Sequence, residues 1–88
     1  MTYRVAILPA ALKQLAELPK PDQRRIQQAI DGLANDPRPP GAKALQGKSK
    51  GLHRIPVGNY RVVYIIRQSQ LLVVVLRIGQ RGGVYRGM

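Results

Sequence analysis

Apolar and polar residues alternate at the start of the chain, in a pattern that predicts a first β-strand. The apolar positions are Tyr3, Val5 and Ile7, and a period of two is typical of a strand with one buried face. Pro9 fits the first position of a helix, where its fixed φ and missing amide hydrogen are tolerated. A short helix is therefore expected to follow the strand and to end at the Pro-Lys-Pro sequence at positions 19–21.

The clearest helical pattern of the chain lies in residues 26–34. Apolar side chains recur there at the i, i+3, i+4, i+7, i+8 spacing of one helix face. They are Ile26, Ala29, Ile30, Leu33 and Ala34. Pro37 ends the pattern, because the residue before a proline disfavours helical geometry. The two helices are expected to form an antiparallel hairpin.

The second half of the chain combines a basic loop with three strand-like runs. Residues 37–51 are rich in Pro, Gly, Lys and Ser, which predicts a loop and a candidate RNA-contacting arm. Runs typical of strands follow at 52–57, 60–67 and 71–78. The whole pattern predicts a single α+β domain over residues 1–88. Its N-terminal strand, helical hairpin and three-stranded antiparallel meander are expected to form one mixed four-stranded sheet with the helices on one face.

The first turn of the meander determines which side chains share a face. Gly58-Asn59 is typical of a two-residue hairpin connection. Counting outward from this turn pairs Arg54 with Val63 and places Arg54 and Arg61 on the same face of the sheet.

The register of the last strand has two alternatives, which differ in the length of the preceding loop. A three-residue loop at 68–70 places Arg77 and Arg81 on the face of Arg54, and it sends four apolar side chains to the core. These are Leu72, Val74, Leu76 and Ile78. A two-residue loop reverses this arrangement. We favour the first register, because an Arg77 guanidinium buried without an acidic partner is strongly destabilising.

Charge is distributed unequally along the chain. The first 36 residues carry five Lys or Arg against four acids, whereas ten basic residues and no Asp or Glu follow Asp36, and the formal net charge is +11. Such a field attracts phosphate backbones, so nucleic acid is the first partner class to consider and an acidic protein the second. A basic surface that serves solubility is the simpler alternative. Four arginines on one face favour a site, because the planar guanidinium binds phosphate in a bidentate manner.

Composition excludes several classes of function. The chain has no cysteine, one histidine and no carboxylate after Asp36, so a metal-hydrolase site is nearly excluded and no metal or other cofactor is expected. The apolar run Leu71–Leu76 is far shorter than the roughly 20 residues that span a bilayer, and no membrane partner is expected. Pro9 interrupts the apolar N-terminal stretch, unlike a signal peptide, and a cytoplasmic location is expected.

Four further residues are candidates for chemistry, and each has a structural alternative. His53 has an unperturbed pKa near neutrality, but strand alternation places it on the other face from Arg54, which favours a structural role. Lys48 and Lys50 lie at the end of the basic loop, where a solvated turn explains them equally well. Tyr85 can stack on a base or contact a phosphate, although a tyrosine near a C-terminus often serves only in packing.

Three segments carry a resemblance to a known family. They are Leu45-Gln46-Gly47, then Leu52-His53-Arg54-Ile55-Pro56-Val57-Gly58-Asn59-Tyr60-Arg61-Val62-Val63-Tyr64, then Ile78-Gly79-Gln80-Arg81 with Val84-Tyr85. The sequence resembles the RelE/ParE toxin superfamily over nearly its whole length. The order of strand, helical hairpin, basic loop and meander agrees with the fold that this resemblance implies.

The resemblance implies an activity and a set of site residues. RelE-type toxins are ribosome-dependent mRNA endonucleases that cut within the decoding site, and a cognate antitoxin holds each inactive. By position, Arg61 is implied to stabilise the reacting phosphate, Arg81 to act on the leaving 5′-oxygen and Tyr85 to orient the RNA. Arg54 falls where RelE has a catalytic lysine, and Pro56 replaces a second lysine of the family.

These departures leave the general base open. An arginine is a poor base because its pKa lies above roughly 12, so Arg54 is expected to bind phosphate. Lys48, Lys50, His53 or a ribosomal group are the candidate bases.

The remaining expectations concern partners. Five basic residues are expected to contact RNA or the ribosome: Lys43, Lys48, Lys50, Arg67 and Arg77. The expected partners are the ribosome, mRNA and a cognate antitoxin with an acidic or amphipathic segment. Two alternatives stay open: a ParE-like toxin that inhibits DNA gyrase without cutting RNA, which Pro56 favours, and a degenerate basic module that binds nucleic acid.

Overall fold

The computed structural model describes residues 2–80, which form two helices on one face of a five-stranded sheet. The elements are β1 Arg4–Ile7, α1 Pro9–Ala16, α2 Lys20–Gly32, β2 Lys43–Ala44, β3 His53–Val57, β4 Tyr60–Arg67 and β5 Leu72–Gln80. Short 3₁₀ turns lie at Gly47–Ser49 and Gln68–Gln70. The predicted α+β fold is confirmed.

The first half of the chain follows the sequence pattern closely. Strand β1 lies beside β5 in a parallel arrangement, with Val5 opposite Val73, and α1 begins at Pro9 as predicted. Helix α2 ends at Gly32, and Leu33 is its C-terminal cap and is fully buried. Within the described residues no helix has both the length and the apolar character needed to cross a bilayer.

The basic loop contains a strand that the sequence analysis did not predict. Lys43 and Ala44 form β2, which pairs antiparallel with β3 so that Lys43 lies opposite Arg54 and Ala44 opposite His53. The sheet therefore has five strands in the order β1-β5-β4-β3-β2, rather than four. Two residues are too few to produce a period-two pattern, and the strand exists only because β3 offers an edge for it.

The predicted register of the β3–β4 hairpin is confirmed. Arg54 lies opposite Val63 and Pro56 lies opposite Arg61. Gly58 has φ +60°, which suits the first central position of a two-residue hairpin turn.

The predicted core assignment of β5 was partly wrong. Val73 and Val75 are fully buried in the core together with Ile78, whereas Leu72, Val74 and Leu76 are only partly buried and lie outside it. The loop is one residue longer than predicted, because Arg67 pairs with Leu72. A bulge at Leu76 then shifts the register, since Tyr64 pairs with Val75 and Val63 with Arg77. The bulge allows both Val75 and Ile78 to reach the core and keeps Arg77 outside it.

The core lies between the helices and one face of the sheet. Its buried residues are Ala11, Leu15, Ile26, Ile30, Leu33, Ile55, Val62, Tyr64, Val73, Val75 and Ile78. Two side-chain hydrogen bonds join the layers: the Tyr60 hydroxyl donates to Asp22 Oδ2 at 3.0 Å, and Gln14 Oε1 accepts from the backbone N–H of Ile78 at 2.7 Å. This packing leaves the other face of the sheet, which we call the open face, uncovered by the helices.

Candidate active site

Basic side chains form a row across the open face. The strand pairings place Lys43 beside Arg54, Arg54 beside Val63, and Val63 beside Arg77, and directly opposite residues share a face. Arg61 lies two residues before Val63 on β4 and therefore on the same face. The prediction that Arg54, Arg61 and Arg77 share a face is confirmed, although the loop and the bulge that achieve it differ from those expected.

Arg54 and Arg61 carry hydrogen-bond donors without partners. The Nε atom of each is buried, and neither finds an acceptor among residues 2–80. One terminal nitrogen of Arg61 donates to the Tyr60 carbonyl oxygen at 3.2 Å. Because buried donors are almost always paired in proteins, two orphaned N–H groups on neighbouring guanidinium groups indicate a place for an external acceptor. The positive charge makes an anion the favoured acceptor.

The burial of Val63 shows how these side chains lie. Val63 is fully buried, yet it is not part of the core between helices and sheet. It stands between Arg54 and Arg77 in the register. Arginine stems commonly lie along apolar surface, and Arg54 and Arg77 are the two arginines placed by the register to lie beside Val63.

Two clefts meet at Arg61. The first, which we call the basic cleft, has a volume of about 260 Å³ and is lined by Gly41, Lys43, Arg54, Pro56 and Arg61. The second has a volume of about 370 Å³ and is lined by Gly58, Asn59, Arg61 and Gln80. Arg61 thus lies between a strongly cationic cleft and one whose other lining residues, as far as residue 80, are uncharged.

The other predicted RNA contacts are distributed over three places. Lys43 joins Arg54 and Arg61 in the basic cleft. Lys50 and Arg67 line a separate cleft of about 350 Å³, at the opposite end of β4 from Arg61. Lys48 is exposed on the 3₁₀ turn Gly47–Ser49.

His53 lies on the opposite face from the arginines. Its ring stacks on Tyr64 with the ring centroids 5.7 Å apart, and Tyr64 belongs to the core. Burial lowers the pKa of the His53 imidazole below its ordinary value, and the positive charge of Arg38 lowers it further. This placement supports the structural reading of His53.

Helix α2 holds the turn that precedes Arg61. Asp22 accepts the hydrogen bond from Tyr60 and lies 3.8 Å from Arg25, and the hydrogen bond to Asp22 is the main reason why the pKa of the Tyr60 hydroxyl is raised. A Cβ atom on Gly58 would lie 2.7 Å from Nη2 of Arg25, so the Arg25 guanidinium covers the turn closely. Nothing in the local sequence around Asp22 indicates this contact with a residue 38 positions away.

Arg81 and Tyr85, two of the four residues implied to be catalytic, lie outside the described residues. The sequence analysis did not predict that Lys43 lies beside Arg54, because the two-residue strand β2 is too short to produce a recognisable pattern. In the part of the chain that the structure covers, no three His, Cys, Asp or Glu side chains are grouped in a way that could hold a metal ion.

Comparison with known proteins decides the family. The sequence profile of the family described as ParE toxin of type II toxin–antitoxin system, parDE, matches residues 5–85. The chain belongs to this family. It is a member of the RelE/ParE toxin superfamily, as the resemblance in its second half implied.

Relatives with RelE names support this membership. The toxin RelE of Mycobacterium tuberculosis is 35% identical over 85 residues, which cover 96% of this chain and 87% of that protein. Among solved structures, the archaeal RelE–RelB complex from Pyrococcus horikoshii OT3 contains a chain with 33% identity and a TM-score of 0.82, and the match covers 96% of this chain and 100% of that chain. The toxin–antitoxin complex RelBE2 from Mycobacterium tuberculosis gives 27% identity and a TM-score of 0.84, with 92% and 93% covered.

Proposed function

We propose that this member of the superfamily acts as the toxin of a type II toxin–antitoxin pair and cleaves mRNA on the ribosome without a metal ion. The observation that carries this proposal is the pair of buried Nε–H groups of Arg54 and Arg61 beside the basic cleft, which find no acceptor among residues 2–80. No carboxylate follows Asp36 in the sequence to neutralise them. A phosphodiester supplies the charge and the acceptor oxygens that such a pair of guanidinium groups binds.

The proposed chemistry is an internal transphosphorylation. The RNA 2′-oxygen attacks the adjacent phosphorus and loses its proton, the bond to the 5′-oxygen breaks, and a cyclic phosphate remains on one product. Arg61 stabilises the charge that develops on the phosphate, and Arg54 holds the same phosphate from the neighbouring strand. Arg81 acts on the leaving 5′-oxygen and Tyr85 orients the RNA, as the resemblance implies.

Dependence on the ribosome agrees with the positions of the three candidate bases named from the sequence, since neither cleft at Arg61 is lined by His53, Lys48 or Lys50. His53 packs against Tyr64 on the other face, and Lys50 lines the cleft at the far end of β4. Lys48 is exposed on its turn and lines neither cleft at Arg61. A ribosomal group is therefore the favoured acceptor of the 2′-hydroxyl proton, and the ribosome also holds the RNA in line for attack. Because the proposed substrate is bound to ribosomes, the proposal places the action in the cytoplasm.

An antitoxin partner is part of the proposal. The structural relatives include RelE–RelB and RelBE2 complexes, in which toxin and antitoxin occur together. An acidic or amphipathic antitoxin segment that covers the open face would neutralise Arg54, Arg61 and Arg77 at once.

The direct test adds the purified protein to a defined mRNA with and without programmed ribosomes and maps the new 5′ ends by primer extension. Cuts within the occupied decoding site, present only with ribosomes and unaffected by EDTA concentrations that leave the ribosomes intact, are expected. Arg61→Ala should abolish them, whereas Arg24→Ala, which removes an exposed guanidinium from α2, should not. Intact RNA in both reactions contradicts the proposal.

One observation favours a second candidate, a ParE-like inhibitor of DNA gyrase. Pro56 lines the basic cleft beside Arg54 and Arg61, and proline can neither donate nor accept a proton there. Binding of an anionic partner without cleavage needs no such group. Inhibition of gyrase-catalysed supercoiling by the protein, with ribosome-bound mRNA left intact, supports this candidate and excludes the nuclease.

A further inference from the structure

We propose that Lys43 is the proton donor to the leaving 5′-oxygen in the cleavage reaction. This inference rests on the proposed nuclease function and assigns a chemical role to a residue that was expected only to contact RNA.

The short strand β2 brings Lys43 to the site. Lys43 lies directly opposite Arg54 in the β2–β3 pairing, so the two side chains share the open face. Both residues line the basic cleft together with Arg61. Arg54 and Arg61 are diagonal neighbours across β3 and β4, with Cα atoms about 7–8 Å apart in such a register. Lys43 is exposed, so its ammonium group can reach a ligand that binds between the two arginines.

Among residues 2–80, Lys43 is the one group lining this cleft that can exchange a proton. Its other lining residues are Gly41, Arg54, Pro56 and Arg61. A guanidinium group is not deprotonated in proteins, whereas a lysine ammonium can give up a proton. The charged groups that face Lys43 from the neighbouring strands are Arg54 and Arg61, and both are cations.

The other titratable side chains nearby point away from the cleft. His53 stacks on Tyr64 in the layer that faces the helices. Tyr60 donates its hydroxyl hydrogen to Asp22 on α2. The ammonium of Lys43 is therefore the proton source that the described part of the site offers to a phosphate held by Arg54 and Arg61.

The reaction requires such a donor at one defined atom. As the bond from phosphorus to the 5′-oxygen breaks, its electron pair stays on the oxygen, and the alkoxide is a poor leaving group unless it is protonated. Lys43 gives its Nζ proton to this oxygen, and Arg81, which keeps its proton, stabilises the negative charge on the same oxygen. The 2′-hydroxyl proton leaves to the ribosomal base. The proton balance closes without a metal ion, and the amine recovers its proton from water.

The test compares Lys43→Arg with the wild-type protein in single-turnover cleavage on programmed ribosomes. Arginine keeps the positive charge but donates protons poorly, so the cleavage rate should fall by about 10²-fold or more. Affinity for the ribosome–mRNA complex should change by less than about threefold, since the charge that binds phosphate is kept. Lys13→Arg, an exposed substitution on α1, is the matched control and should cleave at the wild-type rate.

A second substrate separates proton donation from charge stabilisation. When sulfur replaces the bridging 5′-oxygen at the cleaved position, the leaving thiolate needs no proton, so Lys43→Arg and wild type should cleave this RNA at similar rates. A full rate deficit with the sulfur substrate overturns the assignment, and so does a wild-type rate of Lys43→Arg on ordinary RNA. By contrast, RNA that the wild-type protein leaves intact contradicts the nuclease proposal itself, and the role of Lys43 with it.

Discussion

The Tyr64 hydroxyl donates a hydrogen bond of 2.7 Å to the carbonyl oxygen of Pro37. Tyr64 is fully buried in the core, and Pro37 begins the basic loop that later forms β2. One buried side chain of the central sheet thus holds the start of the segment that carries Lys43 to the site.

Replacing Tyr64 with Phe should lower the free energy of unfolding by about 1 kcal/mol, because the Pro37 carbonyl then loses its donor while the aromatic ring still fills the core. Urea denaturation followed by circular dichroism measures the change. Tyr3→Phe is the matched control, since the Tyr3 hydroxyl makes no hydrogen bond within residues 2–80, and it should leave the stability nearly unchanged. Equal losses in the two variants would show that the bond to Pro37 contributes nothing.

The same variant has a defined pH dependence. Burial raises the pKa of Tyr64 to about 12, whereas a tyrosine in the unfolded chain loses its proton near pH 10. Between these values the folded state binds more protons than the unfolded state, so stability falls as pH rises. The advantage of the wild type over Tyr64→Phe should be present below pH 10 and should shrink between pH 10 and 12. An advantage that stays constant up to pH 12 contradicts this.

His53 should titrate below its ordinary pKa of 6.5, because burial and the charge of Arg38 both disfavour the imidazolium. It is the only histidine in the chain, so its ring protons in an NMR titration are assigned without ambiguity. Arg38→Ala should raise the measured pKa but leave it below 6.5, since burial is the larger cause. Arg24→Ala should not move it.

The sign of the accompanying stability change follows from the same shift. The unfolded chain takes up a proton at His53 near pH 6.5 and the folded protein only at lower pH, so stability should fall as pH drops below 6.5. His53→Gln should flatten this part of the stability profile. If the pH dependence of stability is the same in His53→Gln as in the wild type, the loss of stability at low pH comes from other groups.

Phosphate should stabilise the protein more than chloride at equal ionic strength, because the buried Nε atoms of Arg54 and Arg61 have no acceptor within residues 2–80. A ligand at ten times its Kd stabilises a fold by about 1.4 kcal/mol, which is measurable as a rise in Tm. Arg54→Met should lose the specific part of this rise. In chloride the same variant should have a higher Tm than the wild type, since one of two neighbouring cations is gone.

Phosphate also stabilises proteins generally by exclusion from their surface, so a control is needed. Arg24→Met removes an exposed arginine on α2 and should keep the full response to phosphate. Identical responses of Arg54→Met and Arg24→Met would mean that the anion does not bind at the basic cleft.

Gly58→Ala should destabilise the fold by about 1 kcal/mol, because Gly58 has φ +60° and an L side chain is strained there. The new Cβ would also meet Nη2 of Arg25, so adding Arg25→Ala should recover the part of the loss that comes from this contact. Gly32→Ala is the matched control. Its Cβ meets no atom within 4 Å, and this helix-ending position should be neutral or slightly stabilised. Thermal unfolding is measured for the wild type, Gly58→Ala, Gly58→Ala with Arg25→Ala, and Gly32→Ala. The comparison shows how much of the lost stability comes from backbone strain at Gly58 and how much from the contact with Arg25.

The parts of this protein that could be predicted from sequence are those that depend on nearby residues. The alternation around Val5, the helical spacing from Ile26 and the turn at Gly58-Asn59 each specify local geometry, and the turn also fixed the register that puts Arg54 and Arg61 on one face. The free-energy cost of burying an unpaired Arg77 guanidinium correctly predicted that this side chain lies on the open face of the sheet. The side-chain orientations along β5 could not be predicted in this way. The loop before β5 is one residue longer than expected, and the bulge at Leu76 changes a second time which side chains face the core.

By itself, the sequence determined the order of the elements and a basic face on the meander, because periodicity, turn residues and charge depend on residues that are close along the chain. The family was indicated separately, by the resemblance of its motifs to the RelE/ParE toxin superfamily. Only the tertiary structure decided that β2 exists, that Lys43 meets Arg54 and that Asp22 holds Tyr60. Each of these joins segments far apart in sequence. Such pairings depend on which edges and surfaces remain available after the core has packed, and no local pattern encodes that.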